Sequence, residues 1–334
     1  MPRYRIVREH FDGLPTVALE DSHSGARAVL CTTGATLLSW QQATADGTLE
    51  LIDGYASAAE LHSQAGVRSG IMAPFSNRVA DARYRFDGTL HDLQPGVPDA
   101  ERLIYHGFLR SLELPIAEAW ADDEAASVEF ACTAIRPGAF AGYPFALDLR
   151  ILFSLSDHGI ALELEAHNVG DAAAPYSCGW HPYFRLGDEG IEHLKLHLPA
   201  RHGIATDAGL IPLVDGAAYQ LLHALPALDF RLPWAIGHTV IDGCVADPIA
   251  DAHGIVLTRL RDPLNRRALE VWQHGGLVHL FTGDTLARNG RRAVAIEPVS
   301  AMTDAFNRPD CAAAIRLPPG GSHRFRCGAR FAQG

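Results

Sequence analysis

The chain has 334 residues, 48% of them apolar and 20% charged, which is enough for a sizeable core. Its formal charge of -11 opposes binding to nucleic-acid phosphates and to anionic membranes, and favours a neutral or cationic small molecule, or one met by a few local arginines. The six cysteines make no Cys-x-x-Cys pair, no apolar signal segment opens the chain, and no run approaches the ~20 apolar residues of a spanning helix, so a soluble cytoplasmic protein is expected.

Short β-like runs open the chain: Tyr4 to Val7, Thr16 to Leu19, Ala26 to Cys31 and Leu37 to Trp40, separated by Gly, Asp and Ser. Ser57 to Gln64 predicts one or two helical turns. Arg83 to Leu93 predicts a hairpin, because Asp87-Gly88 suits a tight turn at positive φ. The clearest alternation runs from Ala146 to His167. Leu147, Leu149, Ile151 and Phe153 point one way and Asp148, Arg150 and Ser154 the other. After Ser156-Asp157-His158-Gly159, Ile160, Leu162, Leu164 and Ala166 alternate with Glu163, Glu165 and His167. Further strands are expected at 128–132, 194–198, 254–260, 268–273, 277–281, 293–296 and 323–331. No long stretch has a 3.6-residue period, and no linker or repeat divides the chain. The expectation is one all-β domain over residues 1–334, a large antiparallel β-sandwich.

Polar residues punctuate the apolar strand ends. In Cys178-Gly179-Trp180-His181-Pro182-Tyr183-Phe184, proline holds His181 extended and Gly179 lets the backbone pass close to something bulky. Asn77-Arg78 follows a turn and presents a planar fork of donors. His106 stands beside Gly107, Asp242 follows a branched apolar run, and Glu297 ends an apolar strand before Pro298. Each also fits a structural role when read singly: a loop histidine, a surface ion pair, a turn former, a solvated strand end. The 17 histidines include no His-Glu-x-x-His motif and no zinc spacing, and glycine-rich phosphate loops and the Gly-x-Ser-x-Gly elbow are missing.

Taken in order, Asn77-Arg78, His106-Gly107, His181-Pro182-Tyr183-Phe184, Asp242, Phe281-Thr282-Gly283, Glu297-Pro298 and Asp304-Ala305-Phe306-Asn307 resemble the aldose 1-epimerase (galactose mutarotase) family. Met302-Thr303 departs from it, since many members carry proline there. The resemblance implies the galactose mutarotase-like supersandwich. It matches His181 to the general acid, Glu297 to the general base and His106 to the second active-site histidine. Asn77, Arg78 and Asp242 match positions that contact sugar hydroxyls. Tyr183, Phe281 and Phe306 are candidates for the apolar face of a pyranose.

Anomer interconversion needs a base for the anomeric hydroxyl and an acid for the ring oxygen. No electron or group leaves, so the chemistry requires neither cofactor nor metal. Free imidazole titrates near ~6.5 and a free glutamate near ~4.3. A carboxylate beside His181 is expected to raise its pKa and keep the imidazolium available at neutral pH. The expected partner is a small-molecule sugar, with no nucleic acid and no membrane, and the chain is expected to be a monomer or homodimer. Rival readings are a mutarotase for a phosphorylated or sulfonated sugar met by Arg68, Arg78, Arg83 and Arg85, a non-catalytic carbohydrate-binding sandwich, and an oligosaccharide lyase or hydrolase.

Overall fold

A computed structural model describes residues 2–333. The chain is a large antiparallel β-sandwich, and its α-helices have no more than five residues. Among the described residues no helix is long and apolar enough to cross a membrane.

A five-stranded sheet takes the first strands in sequence order, from Tyr4–Phe11 to Gly47–Glu50. A nine-stranded sheet is built around the predicted hairpin. Leu147–Ser156 pairs with Gly159–Asn168 from Leu147 opposite Asn168 to Ser156 opposite Gly159. Leu147, Leu149, Ile151, Phe153 and Leu155 are all buried. The alternation therefore reads out as one dry face and one wetter one, as period two requires. Ser322–Gln333 and Arg267–His274 extend this sheet on one side, Ala125–Ile135 on the other.

The third large sheet, of eight strands, carries the site. Its order is Tyr219–Leu221, Ala200–Ile204, Asp242–Pro248, Leu277–Phe281, Val294–Val299, Gly179–His181 and Gly70–Met72, with Tyr183–Phe184 also paired to Val294–Val299. Trp180 from this sheet meets Phe153 from the nine-stranded sheet edge to face, with ring centroids 6.1 Å apart. Val278, Leu280, Val294 and Ile296 join the same core. Their alternating neighbours, His279, Phe281, Ala295 and Glu297, are thereby turned to the opposite face.

The predicted hairpin at 83–93 forms, with strands Arg83–Phe86 and Thr89–Asp92 around Asp87-Gly88 at φ 48° and 80°. The predicted helical turns become Ala58–His62, capped by the Ser57 hydroxyl, which accepts from the Glu60 N–H at 3.1 Å. Strands of two to five residues escape the sequence reading, among them Gly70–Met72, Ala200–Ile204 and Trp234–Ala235. Such segments are too short to show an alternation.

Candidate active site

The local sequence around His181 explains its placement. Trp180 is drawn into the core, so Gly179 and His181 face the other way. A Cβ on Gly179 would lie 2.8 Å from Met72 Cε, Pro298 O and Val299 Cγ1, so only glycine lets the strand sit this close. Gly179 pairs with Val299 across the sheet, which brings His181 alongside Glu297 on the neighbouring strand. His181 Nε2 lies 3.3 Å from Glu297 Oε1, and both side chains are almost fully buried. His181 Nδ1 and Glu297 Oε2 have no hydrogen-bond partner among the described residues. Both residues line the cavity, so a hydroxylated ligand there could bond either atom.

A second segment faces this pair. Residues 73–78 run beside 105–107, with bridges from Ala73 to Gly107 and from Arg78 to Tyr105. His106 N–H donates to Asn77 O at 2.9 Å, and Asn77 N–H donates to His106 Nδ1 at 3.2 Å. With Nδ1 as acceptor, the neutral imidazole carries its proton on Nε2. The His106 ring stands perpendicular to that of His181, 5.1 Å away. Gly107 has φ 64°, and a Cβ there would lie 2.0 Å from Ala73 O. Gly107→Ala is therefore expected to lose at least about 2 kcal/mol in a denaturant melt. An unchanged melt would show that the 73–78 segment is not packed as described.

Together these residues line a cavity of about 270 Å³ formed by Asn77, Arg78, Tyr105, His106, His181, Tyr183, Asp242, His279, Phe281 and Glu297, with Gly66, Val67, Thr285 and Leu286 at its rim. Of the nine site residues singled out from the sequence, eight, His181, Glu297, His106, Asn77, Arg78, Asp242, Tyr183 and Phe281, reach this one cavity, and Phe306 does not. Among the described residues no group of His, Cys, Asp and Glu is arranged to hold a metal ion.

Three expectations need correction. The first is the charge on His181. The neighbouring carboxylate does not raise it. Burial dominates and holds His181 down at about 3, with the His279 charge adding to the effect. Burial likewise pushes Glu297 up to about 8, against the pull of His279. Burial thus works against charge on both members of the pair. Burial also holds His106 well below its usual value.

The second correction concerns the arginines, which do not cluster. Arg68 is fully buried and bound to Asp53, and Arg83 and Arg85 line a separate groove with Asp304 and Arg308. Of the four only Arg78 lines the cavity. The third is Phe306, which is core. It packs edge-on against Phe75 and Tyr84, with centroids 5.8 Å and 5.1 Å away.

His279 was missed. Its Nε2 lies 2.9 Å from Asp242 Oδ1, and it stands directly opposite Glu297 across the sheet. Burial pulls His279 down, but the negative charge of Glu297 and the hydrogen bond to Asp242 outweigh it and push it up to about 10. The clue was available: His279 is two residues from Phe281 on a predicted strand, so both share a face.

The family model for aldose 1-epimerase matches residues 15–330. The chain belongs to the aldose 1-epimerase family. Among relatives of this epimerase-family chain, the uncharacterized protein YihR of Escherichia coli K12 is 28% identical over 240 residues, 71% of each chain. The galactose 1-epimerase of Lactobacillus acidophilus superposes with a TM-score of 0.81 at 20% identity, over the full length of both chains. A galactose mutarotase-like protein of Clostridium acetobutylicum gives 0.81 at 13% identity, over 99% of each. At these identities the two structures speak for the fold, while the family match speaks for an epimerase-type sugar isomerase.

Proposed function

We propose that this member of the aldose 1-epimerase family is a mutarotase that interconverts the α and β anomers of a free aldohexose. The observation that carries the reading is the His181–Glu297 pair, 3.3 Å apart on the floor of a cavity of about 270 Å³. A module that only binds sugar has no need of a buried acid/base pair, which is costly to desolvate. An oligosaccharide-cleaving enzyme needs a long cleft, and this cavity holds about one monosaccharide.

One proton shared between the two residues is what the reaction uses. With sugar bound, the anomeric hydroxyl donates to the Glu297 carboxylate and the ring oxygen accepts from His181. Both hydrogen bonds favour moving the shared proton from Glu297 to His181. Glu297 then takes the O1 proton as His181 protonates O5, and the C1–O5 bond breaks. The aldehyde turns about C1–C2 and recloses on its other face, with the two roles reversed. Arg78 and the His106 Nε2–H steady the charge developing on oxygen. Tyr183 and Phe281, with ring centroids 6.2 Å apart, offer flat apolar surface to the sugar.

One observation favours a second reading, a phosphorylated or sulfonated hexose. The Arg78 guanidinium hydrogen-bonds Asn77 Oδ1, at 3.3 Å, and meets Asp242 and Glu297 only through space. Exchange NMR over neutral, phosphorylated and sulfonated hexoses decides between them. Faster α/β exchange of glucose or galactose is the expected result. Acceleration confined to the anionic sugars would select the second reading, and acceleration of none would reject both.

A further inference from the structure

We propose that His279 is a third functional histidine of this cavity, a positioning residue whose cationic ring, held by Asp242, is set against Glu297 to fix where the His181–Glu297 pair keeps its proton. The proposal rests on the mutarotase reading for its kinetic consequence, and on strand register for its geometry. Cys244, His279 and Glu297 form one row across three adjacent strands, Asp242–Pro248, Leu277–Phe281 and Val294–Val299. The row lies on the cavity side of the sheet, because Val278 and Leu280 fill the core side.

The His279 Nε2–H is taken by Asp242 Oδ1 at 2.9 Å, and its ring is flanked by the Cys244 thiol. The ring also brings its charge to the cavity. The groups that face it are Asp242 and Cys244 on one strand, Glu297 on the other, and across the cavity His181, Tyr183, His106, Tyr105 and Arg78. Of these Asp242 is hydrogen-bonded to it, and the resulting bond keeps Asp242 below the usual carboxylate range despite burial. Burial alone would strip the charge from His279. The two carboxylates reverse that and push it up to about 10.

A fixed cation beside Glu297 does two things. It favours the carboxylate over the carboxyl, which is the form that accepts the O1 proton. It also lowers every proton affinity of the pair, so the one-proton state is held at lower pH than the pair would choose alone. A unit charge one cross-strand spacing away, about 5 Å, at an effective dielectric of about 20, moves a neighbouring pKa by about two units. Removing His279 also leaves Asp242 uncompensated, which pushes Glu297 further in the same direction.

The test is the pH profile of kcat/KM for anomer exchange in wild type and His279→Gln. The expected result is that both limbs move to higher pH by at least about one unit, with the maximum rate reduced at least tenfold. A variant that only loosens the fold would lower the rate and leave the limbs where they are, and that result overturns the proposal. The ¹³C carboxyl titration of Glu297, followed in both proteins, reads the same coupling without any turnover. An upward shift in His279→Gln supports the assignment even if no sugar is exchanged, the case in which the mutarotase reading alone fails. An unmoved Glu297 titration sinks the proposal whatever the activity. Should the variant not fold, ¹⁵N imidazole spectra of the wild type decide: His279 must still be doubly protonated at pH 8, and a neutral ring there overturns the assignment.

Discussion

Glu297→Gln and His181→Asn are each expected to reduce anomer exchange by about 10²–10⁴-fold, the usual worth of one positioned proton transfer. Glutamine keeps the shape and cannot take the O1 proton. Asparagine keeps a polar group and cannot deliver a proton to O5. Because the two residues handle a single shared proton, the double variant is expected to be little worse than either single one. Both variants should stay folded. Each replaces a buried side chain with a neutral one of similar shape, and Asp242 still holds His279 at 2.9 Å when Glu297 is replaced. Polarimetry on freshly dissolved α-D-glucose or α-D-galactose measures the rate, and thermal melting confirms the fold. Near-wild-type rates in both would remove His181 and Glu297 from the chemistry.

Asp53→Ala is expected to be the most damaging single substitution for stability. The Asp53 carboxylate is 4% exposed and the Arg68 guanidinium it binds is 1% exposed. The same carboxylate accepts from Arg288 Nη1 at 3.2 Å and from Asn289 Nδ2 at 2.9 Å. Arg68 donates in addition to Arg288 O at 2.7 Å and lies over the Tyr183 ring, 5.4 Å from its centroid. Removing the carboxylate leaves a buried guanidinium with its main counter-charge gone. That costs about 3–5 kcal/mol, or about 5 °C in Tm for a chain of this length. The Tyr183 hydroxyl, which donates to Gly66 O at 2.8 Å, ties this network to the cavity floor, so exchange activity should fall with stability. A melt within a degree of wild type would show that the buried pair contributes nothing.

Much of this was legible in the sequence wherever a local rule repeats. The 147–168 hairpin announced itself through ten residues of alternation on each strand. His181 and Glu297 were legible because each is a polar residue in an apolar run followed by proline, although Glu297 lies within Val294–Val299 and not at its end. What could not be read is what depends on packing between distant segments. The charge on His181 follows from how completely the sandwich buries it, and the sequence offers only the neighbouring carboxylate, which argues the other way. Arg68 and Arg78 are both arginines near one turn, yet one is turned under the floor to Asp53 and the other lines the cavity. Phe306 and Phe281 are both aromatic neighbours of polar motifs, and only the sheet register separates core from cavity. His279 was within reach, since the alternation that places Phe281 places it too.

The rim of the cavity has a different character from its floor. Gly66 and Val67, and Thr285 and Leu286, belong to connecting segments rather than to sheet strands, and Gly66 lies against the Leu286 side chain. Asp53 clasps both, through Arg68 just after the first and through Arg288 and Asn289 just after the second. The two segments thus share one anchor. Redirecting this scaffold toward a bulkier saccharide calls for paired replacements in the lips, while the proton-handling residues below can be left as they are.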